Sequence, residues 1–554
     1  MFGLRMLAVG FFCAIAWLHP VHASSEFLTH EAPWRDVLAG NVATDSAFWD
    51  MDRWRAPLTT VYVQRDYLPL WFVDGKITRA GNTLLQALDT VEQRGLLAHD
   101  YDAAHLRQLA TLVEQAPSPE RVSRADVALA ITAMRLASDL QQGRVAPARV
   151  GYELDVRASA FDASKAVQLL AESQDIATTL DAFEPQLRHY GLLKASLAQY
   201  RNLARDTKLA ALPSIGKSSV HQGEHYLGAP ALRRLLIAFG DLVSAEQIDS
   251  ATTLDEPTVA ALTRFQERMG LEPDGVLGSG TYRALTVPLD QRVEQIALSL
   301  ERVRWLPRTL QAPPIIVNIP QFRLFAFRTE HDFAQDILQM DVIVGATFKG
   351  RETPVFAANM HYAVLNPYWD VPFSIMKQEY LARIQADPRW VAQNGYEIVQ
   401  GPGDDARPLE VTDANVRLLA QGRLRLRQVP GPLNALGRIK FMFPNRHNVY
   451  LHDTPARALF KQSRRAFSHG CIRVSDPVAL FMHIMRDDPQ WTPERLEQAL
   501  NGKPATRIAL RESIPVFILY GTALAIEGGE TLFFDDIYLQ DARLSALLAG
   551  RRAG

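Results

Sequence analysis

The chain has 554 residues, with 59 Lys and Arg against 61 Asp and Glu, for a net charge of −2. That balance excludes a nucleic-acid binder built on a basic excess. With 47% hydrophobic and 22% charged residues the composition is globular rather than disordered or low-complexity, and the length predicts about two to four domains.

Residues 6–18 are an apolar run after Arg5, and Val21-His22-Ala23 offers small or apolar residues at the cleavage positions, so residues 1–23 read as a secretory signal peptide. As a helix the run rises about 20 Å, short of a hydrocarbon core of about 30 Å, and no later stretch reads as a membrane span. Cys13 would leave with that peptide. Cys471 is then an unpaired thiol in an oxidising compartment, either inert and buried or reactive.

Residues 24–220 read as a helical scaffold. Leu84, Leu88 and Val91 recur at helical spacing up to Gly95, and Ser123 can cap a helix carrying Val127, Ile131 and Met134. Tyr62, Tyr67 and Trp71 read as core, with a sugar-binding platform as the alternative. Residues 212–222 look like a linker. Within 221–290, Asp255 can cap a helix with Pro257 in its first turn, Val259, Leu262, Phe265 and Met269 as its stripe and Gly270 as its stop. A tight turn at 271–275 and a helix from Thr281 complete a small three-helix module. A connecting helix is expected at 291–312.

From residue 313 the pattern turns to β-strands, at 315–319, 322–327, 341–344 and 359–364. Residues 373–430, with Tyr380, Trp390 and Tyr396, interrupt it with helix and loop. Strands resume at 448–452, 516–520 and 531–538, and 541–554 is left as a tail. In the strand Asn448-Val449-Tyr450-Leu451-His452, alternation puts Asn448, Tyr450 and His452 on one face. Ser468-His469-Gly470-Cys471 follows, then Arg473, and Ser475-Asp476-Pro477 opens a helix.

A thiolate nucleophile needs a base to take its proton, since a free cysteine with pKa about 8.5 is only slightly ionised near neutrality. It also needs N–H donors for the oxyanion it creates, and Gly470 allows the backbone to turn so that amides near Cys471 converge. A sharp turn before a helix would supply both the donors and an exposed sulfur. A zinc site of His452, His469 and Cys471 is the rival, without an obvious fourth ligand.

Two resemblances follow. Phe265–Leu285, FQERMGLEPDGVLGSGTYRAL, resembles the peptidoglycan-binding domain family in its FQ, GL, DG and G-x-x-T positions, which implies wall binding or a mere spacer. His452, fifteen residues and then Ser468-His469-Gly470-Cys471 resembles the active-site motif of the L,D-transpeptidase (YkuD-domain) family. Arg473 stands where many smaller members have Asn, as in the large YcbB-type branch. The segments QRDYLPLW, NPYWDVPFSI, GRIKFMFPN and DDIY extend that likeness over nearly the whole chain after residue 23.

The resemblance implies a multidomain α+β fold: a helical scaffold, a three-helix peptidoglycan-binding module, and a β-rich catalytic domain at 313–540 with an inserted capping subdomain. It implies an exported periplasmic enzyme, with no cofactor or metal. Cys471 would attack the third residue of a tetrapeptide stem and release D-Ala, and an acceptor amine would then give a 3→3 cross-link. His452 would be the base. His469 and Ser468 would position the loop or the oxyanion. Arg473 would bind a substrate carboxylate or form a structural ion pair, and Tyr450 would bond substrate or pack in the core. Lys461, Arg464 and Arg465 would meet stem carboxylates or simply be solvated. L,D-carboxypeptidase activity, lipoprotein attachment and a non-catalytic wall-binding scaffold are the alternative functions. Peptidoglycan stem peptides are the expected partners, with cell-wall synthesis proteins possible ones.

Overall fold

The computed structural model of the protein describes residues 31–41, 46–154, 161–206, 209, 211–243, 251–308, 312–329, 337–502 and 505–550. The expected signal peptide, Cys13 and residues 551–554 of the expected tail lie outside them. No helix among the described residues is long and apolar enough to cross a membrane. The chain divides into two compact units. One comprises the chain up to Asp89 with Tyr101–Arg135 and Asp162–Thr179. The other comprises Thr90–Asp100, Leu136–Phe161 and everything from Leu180.

The first unit is helical, with Met51–Gln64, Arg79–Leu88 and Ala103–Gln115 among its helices. Its aromatic segment is organised by one buried carboxylate. Asp126 accepts from Tyr62 Oη at 2.6 Å, Leu70 N at 3.0 Å and Trp71 N at 2.7 Å, and burial raises its pKa to about 6. Tyr62 and Trp71 are therefore core, as the first reading of that segment had it, and Tyr67 is half-buried. Ser123 is not a cap. The helix begins earlier, at Pro119, and the Ser123 hydroxyl donates to Glu120 O inside it.

In the second unit, helices Ala229–Ala238, Glu256–Arg268 and Ser279–Leu285 form the small module. Asp255 caps the second of these by accepting from Thr258 N. The Gln266 side chain donates to Asp274 Oδ1 at 2.8 Å, Val276 O at 3.0 Å and Thr281 Oγ1 at 3.0 Å, and accepts from Gly275 N at 2.8 Å. The FQ, DG and G-x-x-T positions are thus one hydrogen-bonded unit, which is why they recur together in the sequence pattern. The expected linker is partly absorbed into the module, with Leu212 and Val220 in its core. Helix Arg188–Arg205, expected in the scaffold, packs within this second compact unit. Its Tyr190, Leu193, Leu197 and Tyr200 pack on Ile296 and Leu300 of helix Leu289–Arg304 and on Ala523 and Phe533.

The large sheet is built from β1 (Ile315–Asn318), β2 (Arg323–Ala326), β3 (Leu338–Gly345), β4 (Phe356–Leu365), β5 (Ile439–Met442), β6 (Leu451–His452), β7 (Ala466–Ser468), β8 (Ile472–Val474) and β9 (Thr506–Leu519). Pairing runs β3-β8-β6-β5-β4-β9-β1-β2 and returns to β3, so the sheet closes into a barrel with β7 added along β3. Closure removes the exposed edges that an open sheet would carry. The barrel core includes Val317, Leu324, Val342, Val344, Ala363, Phe441, Leu451, Ile472 and Ile518, all fully buried. Residues 541–554 are not simply a tail. Helix Gln540–Ala549 lays Leu544 and Leu548 into that same core.

The insertion between β4 and β5 also differs from expectation. It contains its own four-stranded sheet of Trp369–Asp370, Tyr396–Gln400, Arg407–Leu409 and Arg425–Gln428, packed under short helices around Met376, Ile384, Val391, Ile398 and Leu419. Its strands are two to five residues long and Arg-rich, so period-two alternation has too little length to register.

Gly345 closes β3 where no side chain fits. A Cβ there would run into Arg351 O and Thr353 N. Gly345→Ala should therefore destabilise the protein by about 1–3 kcal/mol, the usual cost of overpacking, read as a lower urea midpoint. An unchanged midpoint would show that this loop yields freely.

Candidate active site

Two strands bring the motif residues together. β6 and β8 run parallel, with Leu451 opposite Ile472 and His452 opposite Arg473. Tyr450 and Cys471, one residue earlier on each chain, are thereby neighbours, and Ile472 N donates to Tyr450 O at 3.1 Å. The expected strand 448–452 is shorter, only Leu451–His452. Asn448 lies in the left-handed region, φ +54°, and does not share the face of Tyr450 and His452 as a strand residue. The preceding turn is stapled by Asn445, whose Nδ2 donates to Phe443 O and Val449 O, each at 2.7 Å, and whose Oδ1 accepts from His447 N and Val449 N. An Asn at αL carries a smaller penalty than most side chains there.

Cys471 does not sit immediately before a helix. It follows a turn between β7 and β8, and the Asp476-capped helix Pro477–Ile484 comes only after β8. Gly470 takes φ +115°. Ser468 Oγ accepts from Gly470 N at 3.1 Å and donates to Cys471 O at 2.5 Å, closing the turn from inside. From outside, buried Thr353 donates from Oγ1 to Gly470 O at 2.9 Å. The Gly470 amide is thus engaged by Ser468, whereas the Cys471 amide has no acceptor among the described residues.

The half-buried Cys471 thiol donates to Asn448 O at 3.7 Å. Burial pushes its pKa up, and hydrogen bonds from the Tyr450 backbone and side chain, with the charges of Lys440 and Arg473, pull the other way. His452 is buried, and its Nδ1 donates to Asp453 O at 2.6 Å, which leaves Nε2 as the basic nitrogen. Burial, reinforced by the charges of Arg473 and Lys440, drops the His452 pKa to about 3. The ring is therefore neutral across the physiological range. No hydrogen bond joins it to Cys471 among the described residues, a separation common in unliganded sites.

His469 turns away from the sulfur. Its Nε2 lies 2.6 Å from Glu379 Oε1, which also pairs with Arg351 at 3.0 Å. Glu379 belongs to the insertion, on a π-helical turn, Met376–Tyr380. No group of three or more His, Cys, Asp or Glu among the described residues is placed to hold a metal ion. Arg473 is half-buried, makes no ion pair among the described residues, and leaves its Nε buried without a partner. Tyr450 is half-buried, bonds the thiol, and has its pKa pushed well up by burial and by Cys471. Arg465 is committed to Asp341 at 3.0 Å. Lys461 and Arg464 line a separate cavity of about 1400 Å³ beside Met269, Arg283 and Phe533 of the second unit, not the thiol.

Three participants were not singled out from the sequence. Lys440 stands opposite His452 on β5, with Nζ 4.5 Å from the Tyr450 ring centroid. Glu379 holds His469, and Trp369 bonds Tyr450. For Lys440 a signal existed: in Ile439-Lys440-Phe441-Met442 the charge falls on the face opposite two core residues.

Residues 56–197 match the scaffold domain family, residues 229–285 the "Putative peptidoglycan binding domain", and residues 313–493 the L,D-transpeptidase catalytic domain, YkuD. A Haemophilus influenzae protein named "Putative L,D-transpeptidase" is 34% identical over 254 residues, 46% of this chain. The match spans 49% of that relative, about half its length. The crystal structure of an L,D-transpeptidase from Xylanimonas cellulosilytica aligns with 55% of this chain and 99% of its own at 15% identity. Its TM-score of 0.16 carries no argument. The chain thus carries an L,D-transpeptidase catalytic domain and a peptidoglycan-binding domain within a multidomain α+β fold, as the motifs implied.

The His452 shift has a thermodynamic consequence. As pH falls from 6.5 towards about 3, the unfolded chain takes up a proton that the folded site refuses, so the native state loses stability over that window. His452→Gln removes the effect. Relative to wild type, the variant should gain up to about 1.4 kcal/mol per pH unit below 6.5, measured by urea unfolding at pH 7.5 and 4.5. Parallel pH dependences would mean that His452 is not buried neutral.

Proposed function

We propose that this protein is an exported L,D-transpeptidase that uses its L,D-transpeptidase catalytic domain to form 3→3 cross-links in peptidoglycan through a Cys471 thioester. The observation that supports the reading most is the His452 ring. Its Nδ1 is held by Asp453 O, its Nε2 is basic, and it follows Tyr450, which bonds the thiol, by two residues and so on the same side of the chain. Neutral His452 takes the thiol proton as the sulfur attacks the carbonyl of the third stem residue. The Cys471 amide, left without an acceptor, donates to the developing oxyanion. The proton passes to the leaving D-Ala nitrogen. The acceptor amine then attacks the thioester, gives up its proton through His452, and the thiol is restored.

Ser468 and Gly470 hold the turn, and His469, fixed by Glu379, ties it to the capping subdomain. Arg473, half-buried without a counter-ion among the described residues, binds a substrate carboxylate, and Tyr450 steadies the sulfur. The peptidoglycan-binding domain retains the enzyme on the wall. The leader-like pattern at 1–23 supports export to the periplasm.

Incubation with disaccharide tetrapeptide and analysis of product masses tests the reaction. A dimer lacking one D-Ala is expected. A tripeptide monomer alone would make the enzyme an L,D-carboxypeptidase, and transfer to a protein amine would make it a lipoprotein-attaching one. Cys471→Ala should abolish turnover while leaving the melting temperature within a few degrees, because the side chain is only half-buried in a turn.

A strained β-lactam carbonyl offers the same electrophile without a leaving group that diffuses away. Intact-mass measurement should show one carbapenem adduct, mapped to the peptide containing Cys471, and none on Cys471→Ala. An adduct that persists on the variant would point to a serine nucleophile instead.

A further inference from the structure

Three adjacent strands place Lys440, His452 and Arg473 in one row. Lys440 is the direct partner of His452 across β5 and β6, and His452 is the direct partner of Arg473 across β6 and β8. Directly opposed residues project from the same face of a sheet. The alternate positions Phe441, Leu451 and Ile472 fill the core on the other face. The proposed base is therefore flanked on both sides by cations.

Neither cation has a counter-ion. Lys440 is half-buried, lies over the Tyr450 ring and forms no ion pair among the described residues. It senses Asp370 and Asp404 only at a distance, and Asp370 is paired with Arg425. Arg473 has a buried Nε without an acceptor. Arg507, further along the row beyond Val364, is stacked on Tyr362 with its guanidinium carbon 3.8 Å from the ring centroid. Two half-buried positive charges without an anion are costly, and the cost falls when an anion arrives.

The thiol proton meanwhile points at Asn448 O. Moving it to His452 would create an imidazolium between two cations. Lys440 and Arg473 favour the thiolate formed in that transfer but oppose the imidazolium, so an anion placed between them lowers its cost.

We propose that Lys440 and Arg473 together bind one free carboxylate of the acyl donor, and that its arrival is what allows His452 to take the Cys471 proton. This rests on Cys471 being the nucleophile. The proton moves from Sγ to Nε2 within the site, leaving a thiolate and an imidazolium, and the carboxylate that arrived with the donor compensates the imidazolium. Donors whose carboxylate is amidated or missing bind poorly and also fail to ionise the sulfur.

Alkylation of Cys471 in the full protein tests this without any peptidoglycan chemistry. Iodoacetate brings its own carboxylate and iodoacetamide does not. Wild type should react at least tenfold faster with iodoacetate. Added acetate should accelerate the iodoacetamide reaction, while chloride at equal ionic strength should not. Lys440→Met and Arg473→Met should each reduce the iodoacetate preference at least fivefold, and Lys440→Arg should retain most of it. Equal rates with the two reagents in wild type, or no effect of acetate, would overturn the carboxylate site and leave the nucleophile assignment standing. Failure of both reagents to modify Cys471 would overturn the nucleophile assignment and the carboxylate site together.

Discussion

The Thr353 hydroxyl joins the parts that must coincide for a thiol to be presented at all. It accepts from Gly345 N at the end of β3 and donates to Gly470 O beside Cys471. The Thr353 amide donates to Tyr538 Oη, which in turn donates to Gly345 O. Barrel strand, the Ser468–Cys471 turn and the C-terminal segment therefore share one buried hydrogen-bond cluster. In such a setting an unpaired group costs about 1–3 kcal/mol, so each partner enforces the others. With Ser468 closing the turn from within, the position of the sulfur is set by groups that take no part in any proposed chemistry.

Electrostatics adds a second constraint. A neutral histidine between two cations, next to a thiol that burial keeps protonated, is not a ready-made thiolate–imidazolium pair. On the carboxylate proposal, the empty site keeps the thiol unreactive until an anion arrives. Keeping Cys471 as the thiol has a physical benefit, because the thiolate is the form open to oxidation and mixed disulfides.

The insertion takes part in the site as well as covering it. Glu379 receives His469 of the Ser468–Cys471 turn and Arg351 of the β3–β4 loop, while Trp369 reaches Tyr450. Trp390 stacks on both Tyr380 and Tyr396 behind them, with ring centroids 5.5 and 5.2 Å away. The π-helical turn at Met376–Tyr380 adds a residue to the helical register, a distortion often found at functional positions. Here it carries Glu379.

The sequence by itself determined the His452 and Cys471 pair proposed to carry the chemistry, the three-helix module and the change from helix to strand near residue 313. Each is carried by local pattern: a spaced His and Cys, a stripe with its cap and stop, or a run of β-branched residues. It could not show that Gln266 gathers Asp274, Gly275 and Thr281, although it displayed all four. Nor could it show that helix Arg188–Arg205 sides with the second unit, that Gln540–Ala549 completes the barrel core, or that residues 369–428 hold a sheet. Those outcomes depend on which apolar faces find one another, and strands of two to five residues leave no periodic trace. The same limit applies in the site. Lys440, Arg473 and Glu379 are ordinary charged residues in the chain. Barrel register alone placed two of them beside His452, and the fold of the insertion brought the third to His469, because cross-strand neighbours are fixed by closure of the sheet and not by distance along the sequence.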